Sequence, residues 1–478
     1  MDCMPEISIM RDLTRRAHSL TKLFACPRLL PLTNPQKRST TAILDLPEEM
    51  IVSILANLDI PDLIRAGSVC SSWHSAYVQI CKLGLWKESQ TPCLIYTTES
   101  EPDYPEGIVL YSLAERKSYI LSLPDPPIYD RLVIGSSHGW IITVDDMCQL
   151  HLLNPITGDQ IALPSITTIE QFEAIYDDNG VVCRYRLSFF TGFSVDERPI
   201  DHMFLSCENF HDSSFQKAFL SGDPSTGNYY VVLMHAPFDQ LSFARGGDDK
   251  WTWLPPHFYF SDCVFKDGLL YASIRSGGIH VFDLNGPTIT QKIIINRPMD
   301  VYYDDIYLVQ DRFGDLLQVW TSGEPLVGHL EPYQDDEGPL HEDEEPLHQD
   351  EEVPFGNEDQ LYKDEEPLQR DDEDDTPRYK VYKVDLDAKK LIDITSLGED
   401  MLFLGHNQSL CLCTEEHPQL KANHVYFTLT YKESVVGVFN LENSITDDVL
   451  PHKHWSYWGG PIWTILNPRK MISASHNN

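Results

Sequence analysis

Gly135-Ser136-Ser137-His138-Gly139 satisfies GxSxG, the spacing that places a nucleophilic serine on a sharp strand-to-helix turn in α/β-hydrolases. That chemistry needs a helix after the turn to present the serine above a sheet. Trp140-Ile141-Ile142-Thr143-Val144 follows instead, a β-branched apolar run that predicts a second strand, so the five residues read as a hairpin turn. Cys411 and Cys413 stand two apart, which puts both thiols on one face of a strand rather than around a metal. His452 and His454 flank Lys453, and no carboxylate or thiol is spaced to complete a metal shell with them. Asn407-Gln408-Ser409 is a formal glycosylation sequon, expected to stay unmodified for want of a secretory signal. Eleven cysteines, an odd number without any CxxC, suit a reducing compartment better than a disulfide framework. The expectation is a chain with no catalytic residue, metal or cofactor.

The 478 residues carry 36 Lys+Arg against 73 Asp+Glu, a net charge of −37 that argues against nucleic acid or an anionic membrane as the main partner. No apolar run reaches the ~18 residues of a membrane-spanning helix. The acidity is concentrated: Glu331 to Asp375 holds 21 acidic residues against Lys363 and Arg370. Within it the word DEGPLHE from Asp336 returns as DEEPLHQ from Asp343 and DEEPLQR from Asp364. Proline in each copy forbids a continuous helix, and dense like charge with few apolar residues cannot repay chain ordering. Residues 323–377 therefore read as a disordered acidic low-complexity insertion, a solvated spacer or a handle for a basic partner. Residues 1–41 read as a loose basic N-terminal arm, with an organelle-targeting peptide as the other reading, and 471–478 as a tail.

From Thr91 onward, short apolar or alternating runs bounded by Gly, Pro, Asn and Asp predict strands. RLVI at Arg131, WIITV at Trp140 and QLHLL at Gln149 form one such series, and LLYASI at Leu269 and IHVFD at Ile279 belong to another. Recurrence at roughly 40 to 50 residues predicts propeller blades, each a four-stranded sheet that must pack on its neighbours. Two parts, 91–322 and 378–470, together hold about six or seven blades at ~45 residues each. A pair of β-sandwiches is the alternative, and Ile166 to Ser213 does not align with a blade. Trp251, Trp253, Trp455, Tyr457, Trp458 and Trp463 are expected to fill cores between blades, with target recognition as their other use.

Residues 42–86 carry a different period. Pro47 opens a helix, with Glu48 and Glu49 at its positive end, and Ile51, Ile54, Leu55 and Leu58 follow at helical spacing. Asp59, Pro61 and Asp62 stop and restart the pattern, giving a second helix through Leu63, Ile64, Ala66 and Val69 in which Gly67 costs about 1 kcal/mol of propensity. Cys70, Trp73, Ala76, Tyr77 and Ile80 define a third. Three helices this short enclose little volume, so part of the apolar set is expected to need a partner.

Leu46-Pro47, Glu49, Ile54-Leu55, Leu58, Asp62-Leu63 and Val69-Cys70-Ser71-Ser72-Trp73 resemble the F-box pattern. With GSSHGW from Gly135, HLLNPITGDQIALPS from His151, LFLGHNQSLCL from Leu402 and KANHVYFT from Lys421, the chain resembles the plant F-box proteins that carry a KIB-type β-propeller. The resemblance implies an α+β multidomain chain, a small three-helix F-box followed by an all-β propeller-like domain. It implies a non-catalytic substrate receptor of an SCF-type E3 ubiquitin ligase, cytoplasmic or nuclear, that binds a Skp-family adaptor and through it cullin and RING subunits. Leu46, Pro47, Ile51, Ile54, Leu55, Leu58, Leu63, Val69, Cys70 and Trp73 would then divide between adaptor contact and the module's own core. The target protein and its binding surface are left open. The alternative is a non-ligase scaffold that uses its acidic insertion to hold a basic partner.

Overall fold

The computed structural model describes residues 46–98, 107–121, 131–190, 201–254, 259–286, 288–296, 305–322, 378–429, 435–450 and 460–471. The N-terminal arm, the acidic insertion and all but Met471 of the tail lie outside them. Helices α1 (Glu48–Leu55), α2 (Ile60–Ala66) and α3 (Ser71–Leu83) come first, and strands follow from Cys93.

Seven sheets form among the described residues. Six surround an axis as blades. Blade 1 combines Cys93–Thr98, Gly107–Ser112 and Lys117–Leu121 with Ile462–Thr464 from the far end of the chain. Blade 2 runs from Leu132 to Ala162, blade 3 from Phe215 to Leu254, blade 4 from Phe260 to Ile295, blade 5 from Asp305 to Ile394 and blade 6, with five strands, from Asp400 to Asp448. The two inner strands of a blade are buried on both faces, as Trp140–Val144, second in blade 2, is along its whole length, whereas the outer strand Thr290–Ile295 is mostly exposed. This is why the inner strands read as continuous apolar runs rather than as alternation.

The seventh sheet explains the stretch that matched no blade. Phe172–Tyr176, Val182–Phe189 and Asp201–Ser206 make a three-stranded sheet, followed by helix α4 (Cys207–Ser213). It stands outside the ring: the inner strand of blade 2 lies directly beside that of blade 3. Phe172, Tyr185, Leu187 and Phe210 of this insertion share a core with Trp140 and Ile142 of blade 2 and Leu233 of blade 3. Among the described residues the ring therefore has six blades, and the segment between Ile166 and Ser213 covers two of them.

Register fixes which turns lie at which end. Cys93 pairs with both Ser112 and Thr464, so the Leu113–Arg116 turn and the exit of the last strand share an end of the ring. The turns at His138-Gly139 and Asn154–Asp159 lie at the same end, joined to Asn467 by its side-chain amide to the His138 carbonyl (3.1 Å) and by its carbonyl to the Asn154 amide (3.0 Å). The opposite end carries the Phe238-Asp239 turn and the Arg275 turn, linked by a 2.9 Å ion pair between Arg275 and Asp239. Ser322 and Arg378, which flank the acidic insertion, pair with each other at that end.

The axis is filled by the chain itself. Between two strands of blade 6, Asn407 bridges to Ser136 of blade 2, and the Gln408 N–H donates to the Ser136 carbonyl at 2.8 Å. Lys217 of blade 3 reaches the Gly405 carbonyl and Asp262 of blade 4, both at 2.8 Å. Asp262 also accepts from the Leu308 N–H of blade 5 (2.8 Å) and the Ser409 hydroxyl (3.1 Å). One buried ion pair thus ties three blades and the axial segment together. Burial beside Lys217 holds the His406 imidazole down at about 4, so this side chain stays neutral near pH 7.

Burial raises the Asp262 carboxyl above its ordinary range, against the pull of Lys217. Lys217→Met should therefore cost about 3–5 kcal/mol near pH 7 by leaving a buried charge unpaired. A folded-state pKa above the unfolded value adds stability only at low pH and loses it as pH rises through the folded value. The deficit should accordingly shrink as pH falls toward the unfolded carboxylate value of about 4. Urea midpoints at pH 7 and pH 5 check this, and an equal deficit at both would reject the ion pair as its source.

Candidate functional site

The helical module is built by short-range rules. Pro47 sits at the N-cap of α1, where its missing donor is not needed, and Glu48 and Glu49 occupy the positive first turn. Ile51 and Leu55, four apart, turn inward together. Asp59 stands at the N-cap position of α2, Pro61 lies in its first turn, and Cys70 precedes α3, which ends at Gly84 in the left-handed conformation (φ 69°).

Gly67 is the C-cap of α2, not an interior helix residue, so the propensity cost expected for it does not arise. Its role is room: a Cβ there would lie 2.7 Å from Tyr77 Cγ, too close for any side chain, where α2 crosses α3. Val69 correspondingly falls beyond α2, in the link to α3.

The ten residues singled out by the F-box resemblance separate by burial. Ile51, Leu55, Leu58, Leu63 and Trp73 form the module's own core with Ala66, Ala76 and Ile80. Leu46, Ile54 and Cys70 are half-buried at its edge, while Pro47 and Val69 are exposed. Met50 (49% exposed), Val78 (47%) and Leu83 (56%) add apolar surface that the pattern did not single out. Met50 precedes the inward-facing Ile51, and Val78 and Leu83 fall between the buried turns of α3, so helical phase carried the signal. The result is a module whose interior is complete and whose outside still displays large apolar side chains.

GxSxG forms a hairpin, as its context predicted. Ser137 pairs with Trp140, His138 and Gly139 take positive φ (51° and 80°), and a strand follows. The Ser137 hydroxyl donates to Gln408 on the axis. Cys413 is buried and Cys411 half-buried, neither in a disulfide. Trp251, Trp253 and Trp463 are buried between elements, with Trp463 in edge contact with Phe403 at 5.2 Å across the seam of blades 6 and 1. His452, His454, Trp455, Tyr457 and Trp458 lie outside the described residues. Among those described, no three His, Cys, Asp or Glu side chains group as metal ligands, and no helix is long and apolar enough to cross a membrane.

Two family models match the chain, an F-box-like model over residues 43–87 and the KIB1-4 beta-propeller over residues 110–440. F-box protein KIB4 of Arabidopsis thaliana is 24% identical over 240 residues, covering 50% of this chain and 58% of that protein. An F-box/kelch-repeat protein of the same plant is 29% identical over 300 residues, 60% of this chain and 70% of its own length. F-box protein KIB3, also from Arabidopsis thaliana, is 25% identical over 241 residues, 50% of this chain and 47% of its own. The chain thus spans between about half and 70% of the length of these relatives.

The split between core and surface predicts opposite outcomes for neighbouring substitutions. Leu55→Ala should cost about 2–5 kcal/mol through a cavity in the module. Met50→Ser and Val69→Ser should change stability by no more than about 0.5 kcal/mol. Thermal melts of the three variants separate the two classes, and a large loss for Met50→Ser or Val69→Ser would show those side chains to be structural.

Proposed function

The chain belongs to the KIB1-4 β-propeller family, and from that premise we propose that it is the substrate-recognition subunit of an SCF-type cullin-RING ubiquitin ligase. The observation that carries the reading is the apolar exterior of a helical module that already has a complete core. Pro47, Met50, Ile54, Val69 and Val78 have no structural reason to face water, and a Skp-family adaptor would cover them. Covering three or four such side chains, at no more than about 1.5–3 kcal/mol each, supplies a substantial part of what a stable complex needs against the cost of association. In this reading the propeller holds the target and the chain itself makes and breaks no bonds. Its contribution is effective concentration, since a target lysine kept beside a reactive thioester reacts as if intramolecularly. The working compartment is the cytosol, the nucleus or both.

Pro47→Ala/Met50→Ala/Val69→Ala should weaken capture of a recombinant Skp-family adaptor at least tenfold with an unchanged melting temperature. Calorimetric titration of the full chain reads this directly, and undiminished affinity overturns the assignment of this face. The second reading, a scaffold working through its acidic insertion, is separable because Ser322 and Arg378 pair across the segment's base. Deleting residues 331–375 should therefore leave blade 5 folded and adaptor affinity unchanged. Salt-sensitive loss of co-purified basic proteins on that deletion would instead favour the scaffold.

A further inference from the structure

The helical module is not hung from the propeller by a free linker. Ile60, the first residue of α2, is fully buried and belongs to the propeller's core rather than to the module's: it packs with Ile95 and Leu110 of blade 1, Ile141 and Leu153 of blade 2, and Ile462 and Leu466 of the closing strand and its exit. Its backbone N–H donates to Gln90 Oε1 at 2.8 Å in a buried position, and Gln90 Nε2 donates to the Lys87 carbonyl at 2.7 Å. Lys87 in turn donates its N–H to the Ala56 carbonyl at 2.8 Å, folding the connecting segment back onto the end of α1.

A second set of contacts lies one helical turn away. The Arg65 guanidinium donates to Glu115 Oε1 at 2.6 Å and to the Tyr119 hydroxyl at 2.8 Å, both on blade 1, and also to Asp62 on its own helix. Tyr119 donates to the other oxygen of Glu115 at 2.7 Å, which closes the group. A third set pins the connection on its far side. His417 of blade 6 meets Ser89 (2.8 Å) and Thr91 (3.1 Å), and Arg469 stacks over Trp86 at 5.3 Å. These contacts come from blade 1, blade 6 and the closing strand's exit and hold both the module and its connecting segment, so no single hinge remains about which it could swing.

We propose that Ile60, Arg65 and Gln90 are positioning residues that lock the helical module to the ring as one rigid body. The end carrying Phe238, Asp239 and Arg275 is thereby held at a fixed distance and angle from whatever binds α1 and α3. Resting on the ligase reading, the consequence is that the choice of lysines receiving ubiquitin is set by this junction as well as by the target-binding surface. A flexible tether would present many lysines in turn, whereas a fixed one presents few.

The test uses the full chain with spin labels on noncanonical residues at Ser72 and Glu442, both exposed. Two loosened variants accompany it: Arg65→Ala/Glu115→Ala, and an insertion of Gly-Ser-Gly-Ser after Glu88. A single narrow interspin distance in the native chain and at least a doubling of its width in both variants are expected. Circular dichroism confirms that the propeller stays folded. A broad native distribution overturns the proposal outright. In a reconstituted ligase with adaptor, cullin and RING subunits, the unlabelled chain is then scored for its own modified lysines by mass spectrometry. Native chain should carry ubiquitin on a few lysines, and the loosened variants on at least twice as many, with adaptor affinity unchanged. An identical lysine pattern in native and loosened chains would refute the positioning role even if the distances behave as expected. Failure of every chain, native included, to capture adaptor would refute the ligase reading instead, and the distance distributions would still decide rigidity.

Discussion

Ring closure is the constraint on which the rest depends. A propeller blade cannot bury both faces by itself, so every sheet needs two neighbours, and the first and last must find each other. Here they share a sheet: Ile462, Trp463 and Thr464 pair with Ile95, Leu94 and Cys93. The entropic cost of joining such distant segments grows only with the logarithm of their separation, whereas the pairing adds a buried strand and fully buries Trp463. This tolerance also explains how blade 5 accommodates the acidic insertion, because Ser322 and Arg378 still pair across it.

The closing seam is also where the helical module docks. Ile60 packs on Ile462 and Leu466, and Arg469 covers Trp86 beyond the end of the last strand. The element proposed to meet the ligase therefore rests on the joint that holds the propeller shut, and the two share one hydrophobic cluster. At the axis, Lys217 and Asp262 perform the corresponding task among blades 3, 4 and 5 and the segment Gly405–Ser409. A buried ion pair is a weak source of net stability, but with donors from other blades and the axial segment converging on Asp262 it penalises any other arrangement of them.

Much of this was legible in the chain. The F-box helices followed from signals within four or five residues of one another: Pro47 before Glu48-Glu49, Ile51 with Leu55, and Asp59 before Pro61. The hairpin at Gly135–Gly139 followed from the strand-forming residues after it. Other features were hidden because their causes are remote in sequence. Gly67 looked like a flaw in a helix until Tyr77 was seen to occupy the space a Cβ would take. Phe172, Tyr185 and Leu187 have ordinary strand character, and nothing local says that their sheet leans on the ring rather than entering it. Ile60 and Arg65 carried no signal of this junction, since their partners on the ring lie 30 or more residues away, Ile462 and Leu466 at the opposite end of the chain.

Element types, the three-helix module, the blade-forming repeat and the concentration of negative charge are all written in the order of residues. These depend on propensity, period and composition, which act over a few residues. Packing in three dimensions sets six blades among the described residues, places a three-stranded sheet outside them, fills the axis with Gly405–Ser409, and leaves certain apolar side chains of the module in water. The physical reason is shared: burial is a property of where chain segments meet, and each of these outcomes turns on side chains whose partners come from another blade.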